Sequence, residues 1–102
     1  MRNRLEFDDI LVSILGKPNN VYFQPPASVK MSFPAIRYKL NDIDTRNANN
    51  KHYLKNASYE VILISKNPDN ETVQKLLDLP MSSFDTHYTK DNMNYWVFTI
   101  YY

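Results

Sequence analysis

Ser83, Asp85 and His87 are the residue types of a hydrolytic triad, and they fall at every second position of a stretch that alternates like a β-strand. Alternate side chains on a strand stand ~7 Å apart in a straight row. No turn converges them and no glycine lies nearby to open an oxyanion site, so the pattern predicts a solvated strand face and not a catalytic centre. The other histidine, His52, follows Asp42 and Asp44 in a polar segment. A metal site there would need that segment to fold back on itself, with no cysteine and no second nearby histidine to complete a ligand set. The expectation is no enzyme, no metal and no cofactor.

Composition narrows the remaining classes. The chain has 102 residues and no cysteine, which removes disulfides, thiolate zinc sites, iron–sulfur clusters and cysteine nucleophiles together. A single glycine excludes the glycine-rich phosphate loop and the dinucleotide fingerprint, both of which need close backbone approach to a ligand. Twelve asparagines are expected to stand in at positive-φ turns. Twelve basic residues against eleven acidic ones, for a net charge of +1, give no electrostatic footprint for holding a phosphate backbone. The longest apolar runs, Val61-Ile62-Leu63-Ile64 and Tyr95-Trp96-Val97-Phe98, are far short of the ~20 residues that span a bilayer. Glu6, Asp8 and Asp9 interrupt the region where a signal peptide would be apolar, so the expectation is a protein kept inside the cell that makes it, with no membrane partner. Two glycosylation-like triplets, at Asn56 and Asn70, are what chance supplies in an asparagine-rich chain.

The elements that must position any surface are well punctuated. Asn3 as N-cap, Glu6 in capping-box spacing, then Gly16 and Pro18 bracket a helix over 4–15. Phe7, Ile10, Leu11, Ile14 and Leu15 share one of its faces, while Leu5 and Val12 fall outside that stripe. Val21–Phe23 reads as a short extended piece stopped by Pro25-Pro26, running over the surface or along a sheet edge. Strands follow at Ile36–Leu40, with one wet face, and at Tyr59–Ser65, apolar on both faces and therefore interior. Asn67 with Pro68 predicts the start of a second helix carrying Val73, Leu76 and Leu77, stopped at Pro80. The final stretch reads as a hairpin turning at Asp91-Asn92, with Phe84, Thr86 and Tyr88 on one face of its first strand and Ser83, Asp85 and His87 on the other. Its last strand, 95–102, is apolar on both faces except for Thr99, which calls for a second cover, expected from a neighbouring chain. The resulting expectation is one α+β domain over 1–102, order α-β-β-β-α-β-β, with a mostly antiparallel sheet of four to five strands and both helices on one face.

Between the second and third strands lie eighteen mostly polar residues, 41–58, without periodicity. A loop of that length in a small domain is a functional candidate by its length alone. Its Arg46, Asn49, Asn50, Lys51 and Lys55 are the candidates for contacting a neighbour.

The run Val21-Tyr22-Phe23-Gln24-Pro25-Pro26, the strand entry Phe33 to Tyr38, the loop Asp44 to Asn50, Tyr59-Glu60-Val61, Asn67-Pro68-Asp69, Leu79-Pro80 and the closing Phe84 to Asn94 with Tyr101-Tyr102 resemble a family of small tailed-bacteriophage proteins, the tail terminators, also called tail completion or head–tail joining proteins. The resemblance covers nearly the whole chain and is most specific in the Phe84–Asn94 stretch with the terminal aromatic strand. It implies a structural virion protein, made in the host bacterial cytoplasm, that caps the tail tube and joins it to the neck at the head–tail junction. It implies a hexameric ring with a channel through which DNA passes without specific binding, partnered by tail tube and neck or connector proteins. A ring interface would account for the apolar Leu5 and Val12 and for the aromatic strand residues Trp96, Phe98, Tyr101 and Tyr102 as subunit contacts. The alternative is a small non-enzymatic interaction module that binds a partner protein through loop 41–58.

Overall fold

A computed structural model of the chain describes residues 4–44 and 56–102. The elements follow the expected order: helix α1 (Arg4–Leu15), a 3-10 turn (Pro18–Asn20), strands β1 (Val21–Phe23), β2 (Ala35–Asp44) and β3 (Asn56–Ser65), helix α2 (Glu71–Leu77), and strands β4 (Ser82–Lys90) and β5 (Met93–Tyr101). The strands form one sheet in the order β1-β2-β3-β5-β4. Every neighbouring pair is antiparallel except β1 and β2, which run parallel. The fold is therefore α+β with a mostly antiparallel sheet.

The core lies where the sheet and both helices meet. Phe7 and Leu11 of α1 and Leu76 of α2 are buried in one cluster with Tyr38, Tyr59, Val61, Leu63, Trp96 and Phe98. Both helices thus cover the same face. Phe7 stacks on Tyr59 with ring centroids 4.7 Å apart and meets the edge of Tyr38 at 5.6 Å, so the first helix is seated by aromatic packing. α1 ends at Gly16, whose φ of +76° places it in the left-handed region while its N–H reaches the Val12 carbonyl at 2.7 Å. Asn3, the expected N-cap, lies outside the described residues.

The other face of β3 and β5 has its own small cluster, Ile62, Ile64, Met93 and Val97, against which Met31 packs. That corrects the expectation that a neighbouring chain must cover the second face of β5. The connection between β1 and β2 supplies the cover instead, pinned by the Ser32 N–H donating to the Tyr22 hydroxyl at 3.0 Å and by Asn20 Nδ2 donating to the Pro34 carbonyl at 2.9 Å.

Three further expectations need correction. The second helix is capped not by Asn67 but by Asn70, whose Oδ1 accepts the Thr72 N–H at 2.9 Å. Asn67 makes the same kind of bond one step earlier, to the Asp69 N–H, so Pro68 sits in a turn that precedes the helix. Both ends of the predicted loop 41–58 are strand, with Asp42 paired to Ser58 and Asp44 to Asn56 after a bulge beyond Leu40. Ladder bonding needs no apolar side chain, and Ala57 is anchored further by its carbonyl accepting the Tyr102 N–H at 2.9 Å. Finally, asparagine replaces glycine at only one positive-φ turn position among the described residues, Asn92. Its neighbour Asp91 completes the hairpin turn, and Gln24 and Met81 hold the remaining left-handed positions.

Phe98 is fully enclosed between the helices and the neighbouring strands, so Phe98→Ala is expected to cost about 3–5 kcal/mol of unfolding free energy. Chemical denaturation followed by the fluorescence of the single tryptophan, Trp96, measures it; a loss under about 1 kcal/mol would mean that the core does not depend on this ring.

Candidate interaction surfaces

The triad-like residues are separated by a bulge. Phe84 pairs with Phe98 but Thr86 pairs with Val97, which leaves Asp85 as an extra residue and reverses the alternation at that point. Phe84 and His87 consequently lie on the helix-covered face, where Phe84 meets Phe98 at 5.6 Å between centroids and His87 meets Trp96 at 5.2 Å. Ser83, Asp85, Thr86 and Tyr88 lie on the opposite face, with Tyr88 stacked on Tyr95 at 4.8 Å. The expected grouping of Phe84 with Thr86 and Tyr88, and of Asp85 with His87, is thus corrected. Asp85 Oδ2 accepts the Thr99 hydroxyl at 2.6 Å, and His87 Nε2 bonds Asn94 Oδ1 at 3.0 Å on the other side. Among the described residues no group of three or more acidic, histidine or cysteine side chains is gathered to hold a metal. His52 lies outside them.

The strongly perturbed ionisable cluster among the described residues is a fastening. The Tyr38 hydroxyl donates to Asp8 Oδ2 at 2.5 Å and accepts from Arg4 Nη1 at 3.1 Å, and the Arg4 guanidinium lies 4.2 Å above the Phe23 ring. Burial pushes the Tyr38 hydroxyl well above the ordinary tyrosine value; the bond to the Asp8 carboxylate raises it further and Arg4 pulls it part of the way back. The group sits beneath α1 and ties that helix to β2, which is a structural role.

The six residues expected at a subunit interface do not form one patch. Trp96 and Phe98 are core residues of this chain, packed under the helices, and a surface contact through them is a correction to the expectation. Leu5 is exposed and Val12 half-buried, on the flank of α1 that turns away from the C-terminus. On the opposite flank, Tyr102 packs its ring 5.2 Å from Phe7 and donates its hydroxyl to Glu6 at 3.3 Å. Tyr101, 42% exposed, and Met81, 66% exposed, border a recess of about 330 Å³ floored by Ile10, Leu79 and Ile100. The loop candidates Arg46, Asn49, Asn50, Lys51 and Lys55 lie outside the described residues.

A second recess, of about 320 Å³, was not foreshadowed by any motif. It lies at the β1–β2 edge on the face away from the helices, walled by Gln24 and Pro25 and carrying Arg37, Lys39 and Glu60. Lys39 Nζ stands 3.9 Å from Glu60 Oε1. Arg37 is half-buried as a residue, and its guanidinium has no hydrogen-bond or ion-pair partner among the described residues. The proline pair after Phe23 was the available signal: it ends β1 after three residues, and Gln24 continues along the β2 edge, its N–H donating to the Tyr38 carbonyl at 2.9 Å and its Oε1 accepting the Leu40 N–H at 3.2 Å. Compared with protein-family models and with curated proteins, the sequence matches none.

Because Tyr38 titrates higher in the folded chain than in the unfolded one, the stability it confers is complete below about pH 10, where an unfolded-chain tyrosine releases its proton. It is then lost as pH rises through the folded value, at about 1.4 kcal/mol per pH unit. The measurement is the difference in unfolding free energy between the native chain and Tyr38→Phe across pH 9 to 11 or so. The native chain is expected to fall more steeply above about pH 10; parallel curves would show that Tyr38 does not carry the effect.

Proposed function

We propose that this protein is a structural assembly subunit of the tail-terminator kind, non-enzymatic and without cofactor. It caps the tail tube of a tailed bacteriophage and joins it to the neck of the filled head, as a six-fold ring around a DNA channel. The observation that carries this reading is the exposure of the hairpin on which the resemblance is most specific. β4 is the edge strand of the sheet, nine residues long and exposed at every position after the first. An exposed edge strand is a surface on which chains can assemble side by side, and because the bulge at Asp85 interrupts its ladder the contact falls to the side chains it presents. The α+β fold is compatible with a ring subunit, and the near-balanced charge suits a channel that must let DNA slide without gripping phosphates. The alternative, a module acting through loop 41–58, gains nothing from the described residues, which at both ends of that segment are ordinary strand.

The test has two parts. The purified chain is expected to give ring-shaped particles with a central channel by negative-stain microscopy, with a mass by light scattering of about six chains, as closed cyclic assembly requires. Virions made without the protein are expected to show tails of uncontrolled length or tails unattached to heads. A chain that stays monomeric at every concentration and whose absence leaves tails normal would overturn the reading.

A further inference from the structure

From the two edges of the sheet we infer that copies of this chain join head to tail, with the Asp85 carboxylate of one copy received by the Arg37 recess of the next. The inference rests on the ring reading above and assigns the surface by which such a ring closes.

The recess selects a carboxylate. Lys39 is largely answered by Glu60 at 3.9 Å, so the site presents one unanswered cation, the Arg37 guanidinium. A guanidinium fork binds a carboxylate through two parallel N–H bonds. A carboxylate brings the single negative charge that the site lacks, whereas the second charge of a phosphate would face Glu60.

The opposite edge supplies that group at the matching height. Lys39, Glu60, Thr99 and Ser83 form one transverse row across the open face of the sheet, and Arg37, Ile62, Val97 and Thr86 form the next. Asp85 is the bulged residue lying between the ends of these two rows on the β4 edge; at the other side Lys39 ends its row beyond the last residue of β1, and Arg37 lies one strand in, next to Tyr22 of β1. One of its oxygens is held by the Thr99 hydroxyl at 2.6 Å, which fixes the side chain on the open face, and no cation answers it among the described residues.

The helix-covered face carries an exposed apolar residue toward each edge. Phe84, 46% exposed, ends the apolar row Phe23, Tyr38, Val61, Phe98 at the β4 edge, while Leu40, 40% exposed, lies in the next row at the β2 edge, beyond the last residue of β1. Placing copies side by side with strands in a common direction sets Phe84 level with Phe23 of the next copy and one row from its Leu40 on one face, as Asp85 faces the opening of the recess that holds Arg37 on the other. Strand sense agrees: β2 and β5 run one way and β3 and β4 the other, so β4 meets the neighbour's β1–β2 edge antiparallel. The bulge prevents a continuous backbone ladder, which leaves recognition to these side chains. Such an interface is heterologous, and each added copy leaves one free recess and one free Asp85, so it repeats until rotation closes it.

The test is a charge exchange in the full chain, read by mass photometry or sedimentation across concentration. Arg37→Glu and Asp85→Arg are each expected to raise the concentration needed for assembly by about tenfold or more, with circular dichroism unchanged. A 1:1 mixture of the two variants is expected to assemble nearly as the native chain does, because every junction in an alternating ring again joins opposite charges. Should a reversal disturb folding, Arg37→Gln and Asp85→Asn remove the same charges at nearly constant shape and are expected to weaken assembly in the same direction. Rings that form as well from the single variants as from the native chain, or a mixture no better than its components, overturn this interface and leave the ring reading standing. A native chain that forms no oligomer overturns both.

Discussion

The pairing of β3 with β5 is the constraint on which the molecule depends. β3 is buried on both faces along Val61–Ile64, and its ladder with β5 places Phe98 under the helices and Val97 under the β1–β2 connection at the same step. Two short helices cover one face only, so the other face holds together through a strap of chain pinned by Tyr22 and Asn20. Every other element attaches to this pair: β2 and β1 on one side, the β4 edge on the other, and α1 through the aromatic contacts of Phe7 and the Arg4–Asp8–Tyr38 fastening. A central pair this well enclosed lets both outer edges remain exposed while the fold persists.

Element type and order were legible because this chain punctuates itself. The Gly16 stop, the proline pair after Phe23 and the Asp91-Asn92 turn each mark a boundary that the backbone respects. The two-sided apolarity of 59–65 identified the interior strand for the right reason. Signals of the wrong length were misleading. Asn67 and Asn70 are equivalent as side-chain acceptors, and only the turn around Pro68 decides which of them begins the helix. Residues 41–44 and 56–58 read as loop because they are polar, yet a ladder is satisfied by backbone groups whatever the side chains.

The surfaces were less legible than the fold. Trp96 and Phe98 read as interface residues because a strand apolar on both faces requires two covers, and no periodicity argument shows that the chain supplies the second one through Met31. The Arg37 recess joins Gln24 and Pro25 to residues more than ten positions away through a parallel pairing, which leaves no pattern in a linear reading. Tyr101, exposed beside the recess, stood out in the sequence as an aromatic residue; Met81, more exposed still, did not, because an isolated methionine between a proline and two serines looks like any turn residue.

The bulge at Asp85 also gives the hairpin a parity. From Thr86 to Lys90 the strand is in phase with its neighbour one way, and from Ser82 to Phe84 it is in phase the other way, with one residue absorbing the difference. Excision of that residue would leave a shorter strand of unbroken alternation. Phe84 opposite Phe98 and Thr86 opposite Val97 would then be consecutive in a regular ladder, so Phe84 and Tyr88 would both keep their present faces and only the bend and the Asp85–Thr99 bond would be lost. The bulged residue is therefore separable from the register that holds the hairpin together: the ladder would close without it, and what it contributes is a carboxylate set at a place on the edge that regular alternation would not supply.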